Sequence, residues 1–240
     1  MPNDYFQFKQ FLIRQDKCAM KVTTDGCLFG AWVANTLEHS KGSIRMLDVG
    51  AGTGLLTLMA AQFSDSTIDA IEMDSDAAAQ ARDNCASSPW SDRIKVYTGD
   101  AKEFHYPTNY DAIISNPPFY ENELQSPDSK RTLAHHGGLS LEELLYIIKT
   151  NLAPSGHFFL LLPNKRISEI EPLIFKNHLS IIQKTRVRQS VKHDYFRVMI
   201  RGSHKGNGEK QIENEIAIKD EQQQYTPDFL ELLKPFYLQL

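Results

Sequence analysis

Asn116-Pro117-Pro118-Phe119 stands directly after the apolar run Ala112-Ile113-Ile114. An amide, a proline-fixed carbonyl and an aromatic ring at the end of a buried strand suit the alkylation of a planar nitrogen. The Asn116 side-chain oxygen and the Pro117 carbonyl can accept the two hydrogens of an amino group. The Phe119 ring, with Tyr120 beside it, can stack on the plane that carries that group. Such an amine is a poor nucleophile, because its lone pair is delocalised into the ring. The site must bend it toward tetrahedral geometry and aim it, an orientation effect worth ~7–11 kcal/mol in well-aligned reactions. Asn116, Pro117, Pro118 and Phe119 are therefore the candidate catalytic residues. The plainer alternatives are a turn-forming Asn116 and a Phe119 that closes the core, although Pro117-Pro118 already supplies the turn.

A glycine-rich turn, Asp48-Val49-Gly50-Ala51-Gly52-Thr53-Gly54, lies upstream. In open α/β sheets, ligands sit beyond the C-terminal strand ends where strand order reverses, and such a turn occupies that place. Gly50, Gly52 and Gly54 follow G-x-G-x-G spacing. That is neither the G-x-G-x-x-G of dinucleotide sites nor the Gly-Lys-Ser/Thr of a P-loop. Asp48 would repel a pyrophosphate but can orient an ammonium group, which favours a zwitterionic amino-acid nucleotide. Glu72 stands about 20 residues beyond the glycines, where a carboxylate accepts from ribose hydroxyls. Asp100, followed by Ala101, either accepts from the amine of an adenine or caps a helical turn. Asp74 and Asp76 read as helix-start charges.

The elements that must position these groups alternate. Strands are expected at residues 45–49, 67–73, 93–97, 110–115 and 156–162, and helices at 53–63, 76–85, 140–152 and 167–177. The helix from 140 opens on a Ser140/Glu143 capping box. Two further strands, near 181–187 and 196–200, have no helix between them and predict a hairpin. Ile216-Ala217-Ile218 suggests a short edge strand, Asn207-Gly208 a turn, and residues 227–233 a closing helix. The pattern predicts an α/β, Rossmann-like sheet, mostly parallel with an antiparallel C-terminal strand and helices on both faces. One domain is expected over 1–240: an arm (1–44), a catalytic core (45–202) and a C-terminal hairpin and helix extension (203–240). The segment from Tyr120 to Gly138 carries no strong periodicity.

The 240 residues, 41% hydrophobic and 23% charged, suffice for one such core. No apolar run approaches ~18 residues, so no transmembrane helix is expected. MPNDYFQFKQ lacks the apolar region of a signal peptide. Cys18, Cys27 and Cys85 have no C-x-x-C spacing and read as reduced cytosolic thiols. His135-His136 lacks partner acids or cysteines at ligand spacing, so no metal is expected. Trp32 and Trp90 read as packing residues. The net charge of −4 hides a basic stretch of Lys184, Arg186, Arg188, Lys192, Arg197, Arg201 and Lys205, with Asp194 the only acid among them. The arm adds Lys9, Arg14, Lys17 and Lys21. This pattern suits a polyanionic partner, or else a solvated strand pair.

These residues resemble the seven-stranded S-adenosylmethionine-dependent methyltransferases, and Asn-Pro-Pro-Phe resembles the target-amine motif of the branch that methylates exocyclic or amide nitrogens. Phe8-Lys9-Gln10-Phe11, Cys18-Ala19-Met20-Lys21-Val22, Thr24-Asp25-Gly26, Gly30-Ala31-Trp32, Ser88-Pro89-Trp90 and Phe236-Tyr237-Leu238 look like the bacterial enzymes that methylate N6 of adenosine-37 in a valine tRNA. Thr23 stands where that family often has glycine. The resemblance implies S-adenosylmethionine as cofactor. Asp48 and the glycines would hold its methionine part, Glu72 its ribose, and Asp100 with Ala101 its adenine. The partner would be the anticodon loop of valine tRNA, held by Lys21, Tyr120, Arg186, Arg188, Lys192 and Arg197. A cytoplasmic monomer that engages neither DNA nor membrane is the expectation. The rival readings are a ribosomal guanine-N2 enzyme, a protein-glutamine methyltransferase and a non-catalytic RNA-binding protein on this scaffold. A glutamine enzyme would carry a helical recognition domain before the glycine turn. A DNA adenine enzyme would need an inserted recognition domain, and the glycine spacing disfavours a dehydrogenase.

Overall fold

The computed structural model describes residues 4–18, 20–38, 43–117, 138–206 and 210–239. Pro118, Phe119, Tyr120, His135-His136 and the expected turn at Asn207-Gly208 lie outside the described residues.

Strands β1 (Tyr5–Gln7) and β2 (Leu12–Arg14) form a small antiparallel pair. There follow α1 (Thr24–Leu37), β3 (Arg45–Val49), α2 (Leu55–Phe63), β4 (Thr67–Glu72), α3 (Ser75–Ala86), β5 (Ile94–Thr98) and β6 (Tyr110–Ser115). The second half holds α4 (Leu141–Asn151), β7 (Leu152–Pro163), α5 (Ile167–Lys176), β8 (Leu179–Ser190), β9 (Tyr195–His204), β10 (Ile212–Lys219) and α6 (Pro227–Leu233). Strands β3 to β10 make one eight-stranded sheet in the order β10-β8-β9-β7-β6-β3-β4-β5. β9 is antiparallel to both neighbours, and the other described pairings in this sheet are parallel.

Successive side chains of a strand point to opposite faces, and both faces are covered. Met46, Ile114, Phe159 and Met199 pack with α1 and α2. Leu47, Ile113, Phe158 and Ile200 pack against α4 and α5. The near-continuous apolar runs of β3, β6 and β7 reflect this two-sided burial. The expected capping box forms, with Glu143 N donating to Ser140 Oγ at 3.2 Å and Ser140 N to Glu143 Oε2 at 2.8 Å. Thr23 caps α1 from an extended backbone (φ −120°), which needs no glycine. Trp32 packs edge-on to Phe159, and Trp90 edge-on to Phe11.

The 203–240 segment does not form the expected hairpin. β9 lies between β7 and β8 and uses both of its edges, so β10 crosses it and pairs in parallel with the free edge of β8. Charge fixes the register: Glu213 pairs opposite Lys184 and Glu215 opposite Arg186. The chain then returns to the arm. Phe8 bridges Tyr237, Lys9 N donates to Phe236 O at 2.8 Å, and Phe8, Phe11, Ile13, Phe229 and Phe236 join the sheet's core.

One close approach makes β9 sensitive to volume. A Cβ at Gly202 would overlap the Phe158 ring and stand 2.5 Å from the backbone oxygen of Ser180. Gly202→Ala is expected to cost about 1–3 kcal/mol through overpacking. Urea denaturation should show a lower midpoint with an unchanged slope.

Candidate active site at the strand switch point

The chain runs outward from β3 through β4 to β5, then returns to place β6 on the other side of β3. The C-terminal ends of β3 and β6 therefore flank the switch point, where such sheets bind ligands. Asp48 pairs with Ile114, so Gly50 and Asn116 each lie two residues beyond one registered pair on neighbouring parallel strands. Ser115 Oγ locks this level by donating to Val49 O at 2.7 Å. No hydrogen bond to a described residue engages the half-buried Asn116 side chain, while Pro117 beside it is buried. The two candidate acceptors thus stand one strand spacing, ~4.8 Å, from the glycine turn.

The turn itself is an open cradle. Gly50, Gly52 and Gly54 have φ of 79°, 55° and 80°, the left-handed region. A Cβ at Gly50 or Gly52 would meet nothing within 4 Å, whereas at Gly54 it would meet Cys85 and Ala81 of α3. The first two glycines face free space, and the third serves helix packing. Gly54 is the N-cap of α2 and offers no side-chain cap. That leaves first-turn N–H groups for a ligand.

Glu72 organises the neighbouring edge. Its two carboxylate oxygens accept from Gly52 N at 2.8 Å and Asp74 N at 2.9 Å, and its carbonyl accepts from Gly99 N at 2.9 Å. A carboxylate has about four lone-pair sites, so two remain for hydroxyl donors. Asp100 does cap its turn, accepting from Lys102 N at 2.9 Å, and its other oxygen lies 3.4 Å from Lys102 Nζ. Ala101 is buried, with its carbonyl held by Tyr106 OH at 2.7 Å. Asp74 caps α3 through Ala77 N, as a helix-start charge should.

Asp48 lies deeper than its motif suggests. It is fully enclosed; Oδ2 accepts from Thr57 Oγ1 at 2.6 Å, and Oδ1 has no partner. Burial pushes its carboxyl up to about 7, against the lowering effect of the Thr57 hydrogen bond. A half-satisfied carboxylate beneath an open glycine turn fits a site that receives positive charge. Its folded pKa exceeds the unfolded value of ~4. The folded protein therefore holds this proton more tightly, and the resulting stability is present below ~4 and lost as pH rises through about 7. The ligand-free protein should lose stability between about pH 5 and about pH 8, and Asp48→Asn should flatten that loss. Urea titrations at the two pH values test this.

The basic stretch is mostly spoken for. Lys184, only 8% exposed, sits between Glu171 at 2.7 Å and Glu213 at 2.9 Å. Arg186 lies 3.9 Å from Glu213. Arg188 lies 3.1 Å from Glu215 and over the Tyr195 ring at 4.1 Å. Arg197 binds Asp25 at 2.7 Å. The locally basic face expected of Arg186 and Arg188 is thus largely neutralised by β10. Lys21 is half-buried and engaged. Lys192 is exposed in the β8–β9 turn with no ion pair to a described residue. Lys165, not singled out from sequence, is equally free in the turn after β7. Both turns lie on the edge that carries Asn116, since β6, β7 and β8 run in the same direction.

Sequence reasoning also passed over Gln80 and Asn84, buried polar residues of α3 that grip the arm. The available signal was their i, i+4 spacing on the Ala77/Ala81/Cys85 face of an alanine-rich helix.

The family model "Methyltransferase small domain" matches residues 31–153. A "tRNA1(Val) (adenine(37)-N6)-methyltransferase" of Parabacteroides distasonis is 40% identical over 243 residues, covering 100% of both chains. The crystal structure of a predicted O-methyltransferase from Agrobacterium tumefaciens superposes with a TM-score of 0.65 at 18% identity, over 87% of this chain and 95% of that one. A putative class I S-adenosylmethionine-dependent methyltransferase from Listeria monocytogenes gives 0.60 at 12% identity, over 83% and 67%. The structural neighbours establish the class I methyltransferase fold. With 40% identity over the full length of both chains, the chain belongs to the tRNA1(Val) (adenine(37)-N6)-methyltransferase family.

Proposed function

We propose that this protein methylates the exocyclic N6 of adenosine-37 in the anticodon loop of valine tRNA, with S-adenosylmethionine as donor. The observation that carries this reading is the placement of Asn116, whose side chain has no hydrogen bond to a described residue, level with an open glycine turn at the strand switch point. The residues present fit the donor: open space over Gly50 and Gly52, spare lone pairs on Glu72, and the enclosed Asp48 carboxyl, with one oxygen unpartnered, beneath. Gly50, Gly52 and the start of α2 would hold its amino-acid part, Glu72 its ribose, and Asp100 and Ala101 its adenine. When bound, it supplies a methyl group on a sulfonium, ready for transfer.

The chain's own residues then do the orienting. Asn116 Oδ1 and the Pro117 carbonyl accept the two N–H bonds of the target amine. These hydrogen bonds strengthen as positive charge builds on nitrogen, so they favour the transition state over the ground state. Phe119 with Tyr120 would stack on the base. Splaying the base out of the loop costs a few kcal/mol, and aromatic stacking at ~1–3 kcal/mol offsets much of it. No strong general base is required, because the nitrogen loses its proton only as it bonds to carbon.

Phosphates are held at the same edge. Lys165 and Lys192, with no ion pair to a described residue, carry this contact, with Lys21 and Arg197 as further contributors. Arg186 and Arg188 mainly tie β10 to β8. Lys165→Glu with Lys192→Glu is expected to weaken tRNA binding and to lower the salt slope by roughly one per residue. Filter binding across a salt series checks this, and an unchanged slope would remove both lysines from the interface. The arm, the core and the C-terminal segment act as one domain over 1–240, supported by their shared apolar cluster. No described helix is long and apolar enough to cross a membrane, and action as a monomer in the cytoplasm completes the proposal. The decisive experiment is labelled-methyl transfer to total tRNA followed by nucleoside analysis. N6-methyladenosine in valine tRNA is the expected product, whereas N2-methylguanosine or labelled protein would replace this reading with a rival.

A further inference from the structure

Asn84 joins the arm directly to the glycine turn. Asn84 is 3% exposed. Its Oδ1 accepts from Arg14 N at 3.0 Å, and its Nδ2 donates to Arg14 O and to Thr53 O, both at 2.9 Å. An asparagine amide offers two donor hydrogens and one acceptor oxygen, and here all are used, between the arm on one side and the glycine turn on the other. One helical turn earlier, Gln80 (1% exposed) accepts from Lys17 N at 2.7 Å and donates to Asp16 Oδ1 at 3.1 Å. Gln15 closes the arm on itself by accepting from Val22 N at 2.8 Å. The segment so held lies against α3, whose N-cap Asp74 donates its N–H to Glu72. Cys18 is buried, and after burial the nearby charges of Glu72 and Asp74 raise its thiol to about 11.

We propose that Asn84 is a positioning residue that fastens the arm to the glycine turn, so that residues 14–18 form one wall of the cofactor pocket. Cofactor affinity then depends on a side chain that does not itself touch the cofactor. The proposal rests on the cofactor role given above to the glycine turn and Glu72. Asn84→Asp keeps an oxygen for Arg14 N but loses both donations, leaving the Arg14 and Thr53 carbonyls unpartnered in a buried place. Gln80→Ala releases the arm without touching Thr53.

The test uses the full chain and reads three quantities. These are the calorimetric Kd for S-adenosylhomocysteine, KM and kcat for methyl transfer to tRNA, and the alkylation rate of Cys18 by peptide mass. Asn84→Asp should raise Kd and the cofactor KM about tenfold, the equivalent of one or two lost amide hydrogen bonds. At saturating cofactor, kcat should stay within about twofold. Cys18 should react faster in both variants, and S-adenosylhomocysteine should slow that reaction in the wild type. An Asn84→Asp variant with a lower Tm but an unchanged Kd and Cys18 rate would reduce Asn84 to helix packing and overturn the proposal. A wild type that fails to bind S-adenosylhomocysteine would sink the glycine-turn reading and the clamp with it. Normal wild-type binding with unaffected variants would sink the clamp alone.

Discussion

Asn116→Ala should lower kcat on the order of 10³-fold, the scale set by losing one pre-aimed hydrogen-bonding group, while leaving S-adenosylhomocysteine affinity within about twofold. The split follows from geometry. Asn116 follows β6 and the cradle follows β3, the two strand ends being joined through Ser115 and Val49. Truncating the amide therefore removes the proposed acceptor for the amine and leaves the turn intact. Asn116→Asp, which retains an acceptor oxygen, should keep more activity than the alanine variant. Single-turnover methyl transfer alongside calorimetry separates the two effects. A loss confined to cofactor binding would move Asn116 out of the amine clamp.

Gly52→Val should weaken cofactor binding by roughly 10²-fold. A β-branched residue at φ 55° is a steric outlier, and its side chain would enter space that is now open. It also disturbs the Gly52 N–H that Glu72 holds, so both sides of the pocket respond to one change. Gly206→Val supplies the control, since Gly206 has φ of 105°, open surroundings and a position in the turn after β9. Both variants should lose some stability, but only Gly52→Val should lose the ligand. Equal affinities in calorimetry would place the cofactor elsewhere.

Features encoded locally were legible in the sequence. The glycine turn and Asn116 each follow a strand whose apolar run marks its end, Glu72 is the last residue of one, and parallel βαβ topology brings such ends to one edge. The alternation of strands and helices gave the mostly parallel sheet, and the missing helix between β8 and β9 gave their antiparallel pairing, although the last strand, β10, is parallel to β8. Features that depend on distant partners were not legible. Arg186 and Arg188 read as a basic face because Glu213 and Glu215 follow in a later strand, and nothing local says that β10 crosses β9 to reach β8. Asp48 read as facing the ligand, because its depth under the turn depends on Thr57 of the next helix. The partners of Gln80 and Asn84 lie 63 and 70 residues earlier in the arm, beyond the reach of any local pattern.

The seam between the arm and the C-terminal segment has a kinetic consequence. It joins groups 225 residues apart in sequence, such as Lys9 Nζ and Lys234 O at 2.6 Å. Closing so large a loop is entropically expensive and contributes little until the sheet exists. Refolding should therefore assemble the sheet first and dock this seam afterwards, with Trp90 against Phe11 as an intrinsic fluorescent reporter of the late phase.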